Sequence, residues 1–107
     1  MTSEACVGLL LVELHFPDNR SLKGKRGPIS SLRDTVQRRF RASFSEVAHL
    51  DSWQRAEVLI AVAASSVTQA RERIEEIDRY VHGREFEVAR VLLKTADPVG
   101  ALWRDDS

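Results

Sequence analysis

The chain has 107 residues and a mass of 12.1 kDa, a length that predicts one domain. Hydrophobic residues make up 43% of it and charged residues 30%, which excludes a disordered chain, and 16 basic residues balance 16 acidic ones. No apolar run reaches the ~18 residues that a membrane span needs, and no signal peptide is recognisable, so we expect a cytoplasmic protein. The single cysteine, Cys6, excludes an internal disulfide framework.

The first half of the sequence predicts a strand, a helix and a second strand. Residues 6 to 15 are almost continuously apolar, which is typical of a strand buried on both faces. Four apolar residues then recur at helical spacing: Ile29, Leu32, Val36 and Phe40. We expect Gly27 and Pro28 to delay the start of this helix, with Pro28 in its first turn. Residues 42 to 50 mix polar and apolar side chains and predict a strand of modest burial.

The second half predicts a strand, a helix and a final strand. Residues 54 to 64 are strongly apolar and follow a turn. Ser66 and Gln69 form a capping box that marks the start of the second helix, and Gly83 stands where a left-handed residue would end it. Residues 85 to 93 predict the last strand.

The element order β-α-β-β-α-β predicts an α+β fold of the ferredoxin-like type. In this fold both helices cover one face of a four-stranded antiparallel sheet with the strand order 4-1-3-2. The apolar first and third strands suit the central positions, and the more polar second and fourth strands suit the edges. We expect one domain over residues 1 to 96 and a C-terminal tail over residues 97 to 107.

The sheet face opposite the helices is predicted to be apolar and uncovered. Six residues would lie on it: Val7, Leu9, Leu11, Leu59, Ala61 and Ala63. An uncovered apolar face normally marks an interface, so we predict a homo-oligomer, most simply a dimer, joined through these residues. The alternative is that the tail folds back and covers this face with Leu102 and Trp103.

A basic segment predicts contact with nucleic acid. Residues 17 to 41 carry eight basic residues against two acidic ones, a local charge of +6. We expect seven of them to contact phosphates: Arg20, Lys23, Lys25, Arg26, Arg38, Arg39 and Arg41. A solvated surface stripe is the alternative, since neither an RNP motif nor a GXXG loop is present.

No residue pattern predicts catalysis, a metal site or a cofactor. Cys6, His15, His49 and His82 are scattered singly, without the spacing of a metal signature. His15 and His49 could approach one another across the sheet, but two histidines do not make a site. No acid–base pair is visible, so we expect a non-enzymatic domain. We interpret Trp53 as an anchor that packs a hairpin against the domain, with an interface anchor as the alternative.

Four stretches resemble the YlxP-like family of small bacterial proteins of unknown function. They are VGLLLVELHFP at residues 7 to 17, SLKGKR at 21 to 26, QRRF at 37 to 40 and HLDSWQRA at 49 to 56. The resemblance covers about residues 5 to 93 and implies a ferredoxin-like fold. Genes of this family often lie near those for translation and ribosome-maturation factors, which implies RNA or a ribosomal particle as the partner. No catalytic residues are established for the family, so none are transferred.

The sequence also departs from the family pattern. Gly24 stands where the family usually has Glu, and Leu11 stands where Arg is common. Relatives start the first helix near Ser21, whereas Gly27 and Pro28 predict a later start here. Leu11 makes the uncovered sheet face more apolar and less suited to phosphate.

Overall fold

The computed structural model describes residues 5–84 and 86–96 of the chain, which form one four-stranded sheet and two helices. The elements are β1 (Cys6–His15), α1 (Leu22–Arg38), β2 (Ser43–Ala48), β3 (Arg55–Ala64), α2 (Val67–His82) and β4 (Glu87–Ala96). The strand order is β2-β3-β1-β4 and every neighbouring pair is antiparallel. This is the predicted order read from the other edge, so the predicted α+β ferredoxin-like architecture is confirmed.

The core lies between the sheet and the two helices. Burial alternates along β1 and β3, because successive side chains of a strand point to opposite faces. Leu10 and Val12 on β1 and Val58 and Ile60 on β3 are fully buried on the helix side. From the helices, the apolar stripes contribute Ile29, Leu32, Val36, Ile74, Ile77 and Val81. The other side of β1 is half-buried, so the prediction of a strand buried on both faces is wrong.

Helix α1 begins earlier than the glycine and proline predict. Ser21 is its N-cap, and the Ser21 hydroxyl accepts a hydrogen bond from the Gly24 N–H at 2.9 Å. Pro28 therefore lies inside the helix, and the expected delay at Gly27 and Pro28 is wrong. Proline removes one main-chain hydrogen bond from a helix, and the cap and the packed apolar stripe offset this cost.

Helix α2 confirms the predicted N-cap and the predicted end at Gly83, but not the predicted conformation of that glycine. The Ser66 hydroxyl accepts from the Gln69 N–H at 3.1 Å. The Gln69 side chain completes the cap one residue earlier than predicted, accepting from the Ser65 N–H at 2.8 Å. Gly83 has a φ of −84°, so the predicted left-handed residue is wrong; its N–H instead donates to the carbonyls of Arg79 and Tyr80.

The strand ends differ from the prediction by a few residues. β2 stops at Ala48 instead of continuing to Leu50, because His49 has a φ of +61° that interrupts an extended chain. β4 runs three residues beyond the predicted end, to Ala96. The predicted tail over residues 97 to 107, with Leu102 and Trp103, lies outside the described residues. Within the described ranges, no helix combines the length and apolar character needed to cross a membrane.

Candidate nucleic-acid interface and open sheet face

Lys25 is a buried structural residue and is not available to a nucleic acid, which corrects the prediction for this residue. Only 4% of it is exposed. Its ammonium group donates to the carbonyl oxygens of His49 at 3.0 Å and Arg55 at 3.1 Å, and it lies 3.2 Å from the Glu46 carboxylate. Because the three partners belong to β2, β3 and the chain between them, Lys25 fixes that connection to helix α1.

The connection between β2 and β3, residues 49 to 54, is a hydrogen-bonded loop that exposes apolar side chains. Ser52 holds its interior: the Ser52 N–H donates to the His49 carbonyl at 3.0 Å, and the Ser52 hydroxyl accepts from the Arg55 N–H at 3.1 Å. Trp53 is 54% exposed and Leu50 is 59% exposed. Trp53 therefore does not pack its ring against the domain as predicted, but presents it to the surroundings.

Asn19 joins this loop to the turn that precedes α1. Its side-chain amide donates to the Trp53 carbonyl at 2.5 Å and to the Ser21 carbonyl at 2.7 Å. Gln54 adds a second link, since its amide donates to the Asn19 carbonyl at 3.3 Å. Gly24 leaves the space for this arrangement, because a side chain there would overlap the Asn19 amide oxygen.

Three exposed cations surround the start of α1, and we call Arg20, Lys23 and Arg26 the N-terminal basic group. The first turn of the helix contains no acidic residue that would neutralise them. The Asn19 side chain bonds both the Ser21 and the Trp53 carbonyls, so Arg20 lies in the turn that is joined to the loop that carries Trp53.

The remaining predicted cations lie at the other end of the helix. Arg38, Arg39 and Arg41, the C-terminal basic group, are all exposed. A rise of 1.5 Å per residue places Arg38 roughly 22 Å from Lys23 along the axis. Arg39 stacks on Phe40 with its guanidinium carbon 5.0 Å from the ring centroid. The seven predicted residues therefore form two separate groups and one buried lysine, not one surface.

The open sheet face carries the predicted apolar residues. The β1–β3 register pairs Val7 with Ala63, Leu9 with Ala61 and Leu11 with Leu59. Ala63 is exposed, and the others are half-buried. Within the described residues both helices pack on the opposite face, as the alternation of burial shows.

A charged cluster closes one end of the open face. The Glu13 carboxylate accepts a hydrogen bond from the Arg55 guanidinium at 3.0 Å, and it lies 3.3 Å from His15 Nε2 and 3.5 Å from His49 Nε2. The two histidines do meet there, on a shared carboxylate. The hydrogen bond from Arg55 lowers the pKa of Glu13, and the contact with His15 adds to this effect. No group of three metal-ligating side chains suited to a metal ion occurs in the described part of the chain.

We expect Glu13 to contribute stability that disappears in acid. Because its pKa is lower in the folded chain, the contribution is complete above its ordinary value of 4.5 and is lost as pH falls through the folded pKa. Thermal unfolding of the wild type and Glu13→Gln between pH 3 and 7 should show a difference that shrinks below about pH 4.5. Arg55→Gln should reduce this pH dependence, and a difference that does not change with pH would contradict the role of the ion pair.

Sequence reasoning missed the joint between Trp53 and the start of α1. The signal was present in Asn19, Gln54 and Gly24, but each of these residue types also occurs in ordinary turns. Their hydrogen bonds join positions more than thirty residues apart, which a local pattern does not reveal.

Comparison with known proteins agrees with the resemblance in the sequence. The family model described as a protein of unknown function, DUF503, matches residues 7–93. The chain belongs to the DUF503 family. It is 29% identical over 89 residues to the uncharacterized protein YlxP of Bacillus subtilis (strain 168), a match that covers 83% of this chain and 96% of that protein. The predicted YlxP-like family is therefore confirmed, and family membership assigns no activity.

Proposed function

We propose that this DUF503 domain binds single-stranded RNA, and that it acts by binding and not by catalysis. The observation that carries the proposal is the joint at Asn19, which ties the backbone of the exposed Trp53 to the turn that carries Arg20, the first residue of the N-terminal basic group. An aromatic ring stacks on an unpaired base, while neighbouring cations contact the phosphates on either side. RNA-binding surfaces that do not read a defined sequence combine these two elements.

The hydrogen bonds that hold the loop support this proposal. A side chain on a mobile loop loses conformational freedom when it binds, and this loss reduces affinity. Here Lys25 and Asn19 fix the loop before any ligand arrives. Ser21 already accepts the Gly24 N–H, so the phosphate contacts are assigned to the side chains of the basic group and not to the helix terminus.

The test measures binding of a labelled twelve-nucleotide single-stranded RNA by fluorescence anisotropy across a salt series. Trp53→Ala should weaken binding by about 1–3 kcal/mol, or about 5- to 150-fold in Kd. Arg20→Glu with Lys23→Glu should also weaken it and should flatten the salt dependence, because each lost phosphate contact removes about 0.7 from the slope for a single strand.

The C-terminal basic group provides a matched control. Arg38→Glu with Arg41→Glu changes the net charge by the same amount and should have a much smaller effect. Equal losses from both charge-reversed pairs, with no loss from Trp53→Ala, would show general electrostatic attraction and contradict the proposed site. An affinity for ribosomal subunits that follows the same order of variants would identify ribosomal RNA as the source of the ligand.

A second candidate function, a homo-oligomeric interaction module, is favoured by the open sheet face. Its central residues are apolar on both central strands, and Ser43 and Ser45 on β2 flank them as a polar edge in register with Ala61 and Leu59. An apolar centre with a polar margin is the common anatomy of protein interfaces. In the RNA assay, Leu9→Asp with Leu59→Asp changes only this face and should leave the affinity for RNA intact.

A further inference from the structure

We propose that a second copy of this chain covers the open sheet face, with β1 of each copy packed over β3 of the other. The inference rests on the second candidate function and is independent of RNA binding. It follows from a difference in side-chain size between the two central strands of the face.

At two positions of the open face a large side chain on β1 stands next to an alanine on β3, and at the third Leu11 stands next to the equally large Leu59. Val7, Leu9 and Leu11 on β1 form what we call the ridge, and Ala61 and Ala63 on β3 form what we call the trough. The register places them side by side, with Leu9 opposite Ala61 and Val7 opposite Ala63. A second flat sheet laid on this surface would leave gaps above the alanines, and such gaps lose packing contacts.

A two-fold axis parallel to the strands, between β1 and β3, removes these gaps. It turns the second sheet so that Val7 and Leu9 of each copy lie over the trough of the other, while Leu11 lies over Leu59. Leu9 of each copy then faces Ala61 of the other. An axis across the strands would instead stack ridge on ridge and trough on trough, so packing selects the parallel axis.

The size of the face also selects a second copy as the occupant. Three strands of ten residues and one of six, spaced by about 4.8 Å and rising about 3.3 Å per residue, give a face of about 570 Å². Stable interfaces bury about 800 Å² of accessible surface on each partner, which a facing sheet of equal size approaches. One extended segment would cover about one strand width and leave most of the face open.

The experiment exchanges ridge and trough residues in the full-length chain. Association is measured by sedimentation at protein concentrations between about 1 and 100 µM, the range in which weak to moderate dimers form. We expect the wild type to be a dimer. Ala61→Leu fills the trough and should weaken the dimer at least about tenfold. Leu9→Ala combined with Ala61→Leu moves the ridge to β3 and should restore the dimer, because size complementarity is recovered.

Thr68→Leu is the matched control for Ala61→Leu, because it also adds an apolar side chain but lies on the exposed surface of α2. It should not change association. Circular dichroism checks that each variant is folded. A wild type that is monomeric throughout the range would overturn the proposal. So would an Ala61→Leu variant that associates as tightly as the wild type, or a double variant that remains dissociated. The RNA affinity of Ala61→Leu should stay at the wild-type value, so failure of this inference does not imply failure of RNA binding.

Discussion

Replacement of Lys25 by methionine is expected to destabilise the domain by about 3 kcal/mol, because removal of one partner from a buried ion pair leaves the other without compensation. Methionine keeps the length of the side chain but donates no hydrogen bond. The carbonyls of His49 and Arg55 would lose their partner, and the Glu46 carboxylate would lose its neighbouring cation. For a domain of this size, each kcal/mol lowers the Tm by about 4–8 °C, so the expected loss is roughly 12–24 °C.

Lys23→Met is the matched control, since Lys23 is an exposed lysine on the same helix. We expect it to change the stability by less than about 0.5 kcal/mol. Thermal and denaturant unfolding of both variants measure the difference. If Lys25→Met is as mild as Lys23→Met, the contacts of the Lys25 ammonium do not hold the loop.

A second substitution separates two contributions to the lost stability: the uncompensated charge of Glu46 and the broken hydrogen bonds of Lys25. In a Lys25→Met background, Glu46→Gln removes the carboxylate that has lost its cation, so it should cost less than it does in the wild type. The carbonyls of His49 and Arg55 stay unpaired in either case. The loss that remains therefore contains the cost of the two hydrogen bonds that hold the loop, without the cost of the uncompensated carboxylate.

The fold was predictable where burial repeats with the period of an element. The spacing of Ile74 and Ile77 on α2, and the alternation of Val58 and Ile60 on β3, are consequences of packing that remain visible in the sequence. The strand order followed because only the first and third strands were apolar enough for the centre of the sheet. Each of these patterns involves residues that lie close together in the sequence, so it can be recognised without the structure.

The position of Lys25 was not predictable in the same way. Lysine is almost never fully buried, so its residue type favours a surface position. The exception here depends on two main-chain carbonyls, and a carbonyl is present at every residue whatever its side chain. Pro28 misled the prediction for a related reason. A proline in a helix interior is unfavourable by itself, and only the contacts of the whole helix decide whether it is tolerated.

Gly8 and Gly27 are expected to respond in opposite directions to the same substitution. A methyl group on Gly8 would lie 2.5 Å from Ile74 Cγ1 and 3.1 Å from the Ala70 carbonyl oxygen, because β1 and α2 approach closely there. Overpacking of a rigid core costs about 1–3 kcal/mol, so Gly8→Ala should be clearly destabilising. At Gly27 nothing lies within 4 Å of the added methyl group, and alanine in a helix interior should stabilise by about 0.5–1 kcal/mol.

A double-mutant cycle with Ile74→Ala assigns the cost at Gly8 to one contact. Ile74→Ala alone leaves a cavity in the core and should cost about 2–5 kcal/mol. In that background the Gly8→Ala methyl group enters the space that Ile74 leaves, so the pair should lose at least about 1 kcal/mol less than the sum of the single losses. Denaturant unfolding of the four proteins measures this coupling. Strict additivity would show that the strain at Gly8 arises from its other two close neighbours, Val62 Cγ2 at 3.0 Å and the Ala70 carbonyl oxygen at 3.1 Å, and not from Ile74.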